Sequence, residues 1–190
     1  MEEKRILLSP ENSAEFHNQV DFCIGTGRMG LALQEEYLRQ LELVQHEIGF
    51  RHIRGHGLFC DDLAIYQEAE DGTPEYNYTY VDRVMDSYRR LGLKPFLELC
   101  FMPEKLAGGT QTIFYWKGNT TPPASYERWN EMVKALLTHL CARYGREEVV
   151  TWPVEVWKEP NLPGLWENAD MQEYFKVFDN TFKAVKEVDE

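Results

Sequence analysis

Hydrophobic positions along this chain switch between short continuous runs and stretches spaced at three and four residues. The first pattern belongs to buried strands, the second to helices with one apolar face. Phe22-Cys23-Ile24 is a short apolar run closed by Gly25. Leu33, Tyr37, Leu41, Val44 and Ile48 then recur at helical spacing, and Gly49 supplies the stop. Phe50 to Arg54 reads as a second strand, followed by a Gly55-His56-Gly57 turn. Thr79, with Asp82 three positions on, predicts a capped helix start. Val81, Val84, Met85, Tyr88 and Leu91 form that helix's apolar face before Gly92. Lys94 to Met102 predicts a third strand, stopped by Pro103. Ser125 caps a third helix with Trp129, Met132, Val133, Leu136, Leu140 and Tyr144 on one side, and Gly145 ends it. Trp152 to Trp157 predicts a fourth strand. Asp170, with Glu173 three later, opens a last helix. Its face of Tyr174, Phe175, Phe178, Phe182 and Val185 is expected to be core.

The predicted order is β-α-β-α-β-α-β-α. Regular alternation implies a parallel sheet with the helices as crossovers outside it. The long loops follow strands, and in such folds sites form at the strands' C-terminal ends. The segment between Pro103 and Ser125 is long, holds Phe114, Tyr115 and Trp116, and reads as a functional loop. Length limits the architecture. A closed eight-stranded barrel typically takes about 250 residues, and this chain has 190.

Composition removes other classes. Lys plus Arg number 20 against 32 Asp plus Glu, a net charge of −12. No basic block offsets this, so neither nucleic acid nor an anionic membrane surface is an expected partner. The amino terminus has an apolar run of three residues, Ile6 to Leu8, too short for a leader or a membrane span, and a cytoplasmic location is the expectation. Cys23, Cys60, Cys100 and Cys141 lie far apart with no metal spacing and are expected as reduced, packed thiols.

Several motifs carry chemistry. Gly25-Thr26-Gly27-Arg28-Met29-Gly30 matches the dinucleotide pattern G-x-G-x-x-G, but the second strand ends in Arg54 rather than an acid. Glycines serving a tight turn are the simpler reading. His52 and His56 have the spacing of two metal ligands on a helix. They fall in a strand region without a third ligand, so no metal is expected. His56 is open to two readings, a ligand hydrogen bond or local backbone satisfaction. Among the carboxylates Glu98, Glu155, Glu159, Asp61 and Asp62, Glu159 stands out because it ends an apolar strand and precedes Pro160. Walled by Trp157, it would have the raised pKa of a general acid. Phe59, Phe114, Tyr115, Trp116, Trp157 and Trp166 gather near these loops and suit either sugar stacking or ordinary packing.

These segments, taken together, resemble a known family. Phe22 to Arg28, Phe50 to Gly57, Phe114 to Asn119 with Pro122-Pro123, and Glu155 to Leu162 look like the bacterial β-xylosidases of glycoside hydrolase family 39. The resemblance spans essentially the whole chain in order. It implies a TIM-type (β/α)8 barrel, here about four βα units forming a half-barrel with parallel strands. Residues 1–190 would then be the N-terminal part of one catalytic domain. It implies a retaining mechanism, a xylo-oligosaccharide or β-xyloside substrate cut at its non-reducing end, and no cofactor. Glu159 takes the place of the general acid/base, His56 looks like a sugar-binding residue, and Phe114 shapes the xylose pocket.

Two departures qualify that implication. The family carries Asn before its acid/base, where this chain has Lys158, which stands at the substrate-binding position. A lysine lacks the amide geometry for the sugar 2-hydroxyl, and its charge favours the ionised carboxylate. Retention also needs a second carboxylate roughly 5–5.5 Å from the first. The family's nucleophile comes from a later strand, and no residue here is assigned to it. The expectation is therefore a β-xylosidase-like hydrolase with Glu159 as acid/base. The alternative is a non-catalytic fragment or carbohydrate-binding pseudoenzyme. Open sheet edges also suit pairing with a second half-barrel or a homo-oligomer.

Overall fold

The computed structural model describes residues 6–7, 9, 11 and 13–189. Most of the amino-terminal stretch read for a leader lies outside them. The main elements are β1 (Cys23–Arg28), α1 (Glu35–Glu47), β2 (His52–His56), β3 (Tyr66–Glu68), β4 (Pro74–Tyr76), α2 (Thr79–Arg90) and β5 (Lys94–Leu99). Then come β6 (Thr112–Ile113), β7 (Gly118–Asn119), α3 (Tyr126–Tyr144), α4 (Arg146–Val149), β8 (Val154–Val156) and α5 (Met171–Val188).

The four predicted strands form one parallel sheet in the order β1-β2-β5-β8. Strand order follows chain order without reversal. A doubly wound nucleotide fold would reverse and create a switch point; a barrel wall does not. β3–β4 and β6–β7 are small antiparallel hairpins within the loops after β2 and β5. Among the described residues no helix is long and apolar enough to cross a membrane.

Side chains alternate across each strand. Ile53, Leu97 and Leu99 are fully buried on the helix side, with Val84, Met85, Tyr88, Trp129, Met132 and Leu136 in the same core. Arg54, His56, Glu98 and Glu155 fall on the other parity, which is the inner face of a barrel. Gly49, Gly92 and Gly145 follow their helices in left-handed conformations (φ +77°, +74° and +91°), as the stop signals imply. Ser125 Oγ accepts from Arg128 N at the start of α3. Asp170 accepts from Gln172 N and Glu173 N at the start of α5.

Four expectations change. Thr79 does not cap α2 with its side chain; Asn77 Oδ1 instead accepts from Thr79 N in the preceding turn. His56 is the last residue of β2 rather than part of a turn, which begins at Gly57 (φ +75°). Gly25 and Gly27 lie in β1 itself and serve no tight turn. The aromatic row of α5 is not core: Phe175, Phe178 and Phe182 are 60%, 44% and 51% exposed. α5 packs on α3 through Val177, Thr181 and Ala184, where Trp129 Nε1 donates to Thr181 Oγ1 at 2.8 Å. Its aromatic row turns toward the open side of edge strand β8, where no further strand among the described residues covers it. With Phe96, Val154, Val156 and Trp157 it lines an open groove.

Candidate active site

The inner face of the sheet carries a charged network. Arg54 on β2 donates to Glu155 on β8 through Nε (2.6 Å) and Nη2 (2.8 Å). The same Nη2 lies 2.5 Å from Glu98 Oε2 on the intervening strand. Glu98 and Glu155 are direct cross-strand neighbours, so the guanidinium separates two carboxylates that would otherwise repel. Glu98 is fully buried, and burial pushes its carboxyl above the usual range. The Cys100 thiol donates to Glu98 Oε1 at 2.9 Å. Arg54 is thus committed to two acids of the sheet. Glu98 is a partner of Arg54 and needs no catalytic role.

A second cluster sits at the C-terminal strand ends. His56 stacks on Trp116 (centroids 5.5 Å, 22°) and lies 5.4 Å from Phe114 and 6.0 Å from Phe101. Phe114 stacks on Trp116 at 4.6 Å, and the Arg28 guanidinium lies 5.2 Å over the Trp116 ring. Arg28 also pairs with Asp62 at 2.8 Å. A Cβ on Gly30 would lie 2.6 Å from Asp62 Oδ2, so the missing side chain makes room for that acid. Burial, aided by the charges of Lys158, Arg54 and Arg28, lowers the His56 pKa to about 4. The ring is therefore neutral near pH 7, with one nitrogen donating and the other accepting.

Glu159 follows β8 in an irregular turn. Trp157 and Glu159 both hold left-handed backbone conformations (φ +67° and +45°), an arrangement costly for residues other than glycine. These turns end strand alternation. They send the Trp157 indole into the core, where Nε1 donates to Leu165 O at 2.6 Å and Trp166 packs at 4.9 Å. Glu159 lines the open groove beside α5 together with Trp157, Val156 and Tyr174, but it is 52% exposed, so these apolar neighbours do not enclose it as the sequence suggests. Lys158 is 18% exposed, and its Nζ lies 3.3 Å from Glu159 Oε2.

His56 and Phe114 thus come together, and Lys158 and Glu159 meet at the same end of the sheet. Trp116 and Arg28 join the first pair. Phe59, Trp157 and Trp166 are core. Sequence reading did not assign Arg28 a place at this wall, nor the Arg54–Glu98–Glu155 network. The signal for the network was charge at inward-facing parity on three strands. Among the described residues there is no group of three or more potential metal ligands.

Comparison with known proteins gives this arrangement its context. A profile described as glycosyl hydrolases family 39 matches residues 5–190. The chain belongs to that family. It is 54% identical over 189 residues to a β-xylosidase of Geobacillus stearothermophilus, covering 97% of this chain and 38% of that protein. A β-xylosidase of Caldicellulosiruptor saccharolyticus is 42% identical over 167 residues, covering 88% and 34%. Among solved structures, a monomeric β-xylosidase from Caulobacter crescentus superposes with a TM-score of 0.85 at 44% identity, over 89% of this chain and 34% of that one. A family 39 enzyme from Xanthomonas axonopodis pv. citri gives 0.86 at 39% identity, over 89% and 33%. The chain spans little more than a third of these relatives, and its parallel sheet with outer helices is part of a TIM-barrel domain.

Proposed function

We propose that this chain supplies the acid/base half of a retaining β-xylosidase site. The observation that carries the reading is Glu159-Pro160 at the C-terminal end of the fourth parallel strand, in a family 39 chain whose relatives are β-xylosidases. In this reading Glu159 protonates the departing glycosidic oxygen and then takes a proton from the attacking water. The nucleophilic carboxylate comes from outside these 190 residues. His56 and Phe114 bound the sugar pocket, and Lys158 borders it. The substrate is a β-xyloside or a xylo-oligosaccharide.

One observation favours the second reading, a carbohydrate-binding chain without turnover: Lys158 stands where the family carries a neutral Asn, and its Nζ lies 3.3 Å from Glu159 Oε2. A chimera separates the two. This chain replaces the matching segment of the Geobacillus stearothermophilus relative, and hydrolysis of an aryl β-xyloside is measured with and without Glu159→Gln. Turnover that depends on Glu159 supports the first reading. Turnover unchanged by Glu159→Gln, or none in either protein, refutes it.

A further inference from the structure

Natural proteins leave few buried polar groups without a partner, and each such group asks for an explanation. Three of those found among the described residues fall in one stack: His56 Nε2, Trp116 Nε1 and Arg28 Nε. They are linked by the His56–Trp116 stack and by Arg28 lying over the same indole. Nothing in the fold requires this waste. The Asp62 contact uses Arg28 Nη1 and leaves Nε idle. Trp157, Trp129 and Trp166, by contrast, each place their indole N–H on an oxygen.

Donor chemistry narrows the ligand. Trp116 Nε1 and Arg28 Nε are obligatory donors, and Nε2 of a neutral His56 donates or accepts according to its tautomer. Hydroxyls, which accept one hydrogen bond and donate another, suit either tautomer. A carboxylate's charge would compete with Asp62 for Arg28. Phe114 lies over the stack, half exposed, with a left-handed backbone (φ +62°) that it has no glycine to ease. The three nitrogens are closed to solvent, so a ligand reaches them only if the stack opens, and Phe114 is its exposed ring.

We propose that Arg28 and Trp116 join His56 as positioning residues, holding the hydroxyls of a neutral pyranose once Phe114 moves aside. This inference rests on the glycosidase reading and extends it to two residues that reading does not use.

The test is a titration of the full 190-residue chain, labelled with nitrogen-15, with methyl β-D-xylopyranoside. The Trp116 indole N–H resonance is assigned by its loss in Trp116→Phe. That resonance is expected to shift on binding. Trp116→Phe and Arg28→Lys, which keep the ring and the charge, are each expected to weaken Kd about tenfold, the scale of one lost hydrogen bond in a desolvated site. Unchanged dispersion in the remaining amide signals confirms that the variants fold. Affinities within twofold of the parent overturn the proposal. Methyl β-D-glucuronide binding as tightly as the xyloside overturns the neutral-hydroxyl assignment. The same variants in the chimera separate this inference from its premise. Glu159-dependent hydrolysis with KM unchanged by either variant removes the positioning role and leaves the glycosidase reading intact. No xyloside binding and no Glu159-dependent hydrolysis removes both.

Discussion

Replacing Arg54 with methionine removes the guanidinium that Glu98 and Glu155 share and keeps most of the side-chain volume. Breaking a buried ion pair from one side costs about 3–5 kcal/mol. Glu155 is 32% exposed and recovers solvent, so its share is about 1 kcal/mol or less. Glu98 is fully buried and carries most of the loss, which places the total near 3 kcal/mol, the low end of that range. For a chain of this size that is a fall in Tm of about 6–12 °C. The loss should depend on pH. Burial already raises the Glu98 carboxyl above its usual range, and removing Arg54 raises it further. A carboxyl raised in the folded state binds more protons folded than unfolded. Its protonation supports folding in acid, and that support disappears as pH rises from the ordinary carboxyl value through the raised one. Thermal unfolding followed by circular dichroism at about pH 5 and about pH 8 should therefore show the larger penalty at the higher pH. Adding Glu98→Gln to the variant should recover about half of it, because no buried charge then remains unpaired. A fall in Tm below about 2 °C, or one equal at both pH values, would refute the claim that this network holds the inner face together.

Other outcomes follow from the same geometry. Lys158→Asn in the chimera should raise aryl β-xyloside turnover by releasing Glu159 from its ion pair; unchanged or lower kcat contradicts this. The His56 ring should titrate by NMR near pH 4. A histidine lowered in the folded state makes stability fall as pH drops from about 6.5 toward that value, and His56→Asn should flatten that limb of the Tm–pH profile. Asp170→Ala should cost about 1 kcal/mol by uncapping α5, read as a lower urea midpoint with an unchanged slope. Phe178→Ser with Phe182→Ser should change unfolding free energy by less than about 0.5 kcal/mol, because both rings are half exposed on the open side of β8.

The alternation of strand and helix was legible because it rests on local signals, namely period, caps and glycine stops. All four strands of the sheet and the major helices lie close to where the pattern places them. The pattern could not say that α5's aromatic row lacks a cover, since periodicity marks an apolar face without naming its partner. The hairpins β3–β4 and β6–β7 have strands of three and two residues, below what periodicity resolves. For the candidate site, motifs named His56, Phe114, Lys158 and Glu159, and the structure brings His56 to Phe114 and Lys158 to Glu159. The exposure of Glu159 was not, because it depends on left-handed turns at Trp157 and Glu159, and neither residue type announces that conformation. Arg54's partners were hidden for a different reason: they lie on the neighbouring strand and the one beyond it, joined only through register.

The most direct measurement of the central claim is azide rescue of Glu159→Ala in the chimera, with an activated aryl β-xyloside and the product examined by NMR. If Glu159 is the acid/base of a retaining site, azide takes the place of the base-activated water at the glycosyl-enzyme. Turnover should rise with azide, and the product should be β-xylosyl azide. No acceleration, or a product of inverted configuration, would contradict the account.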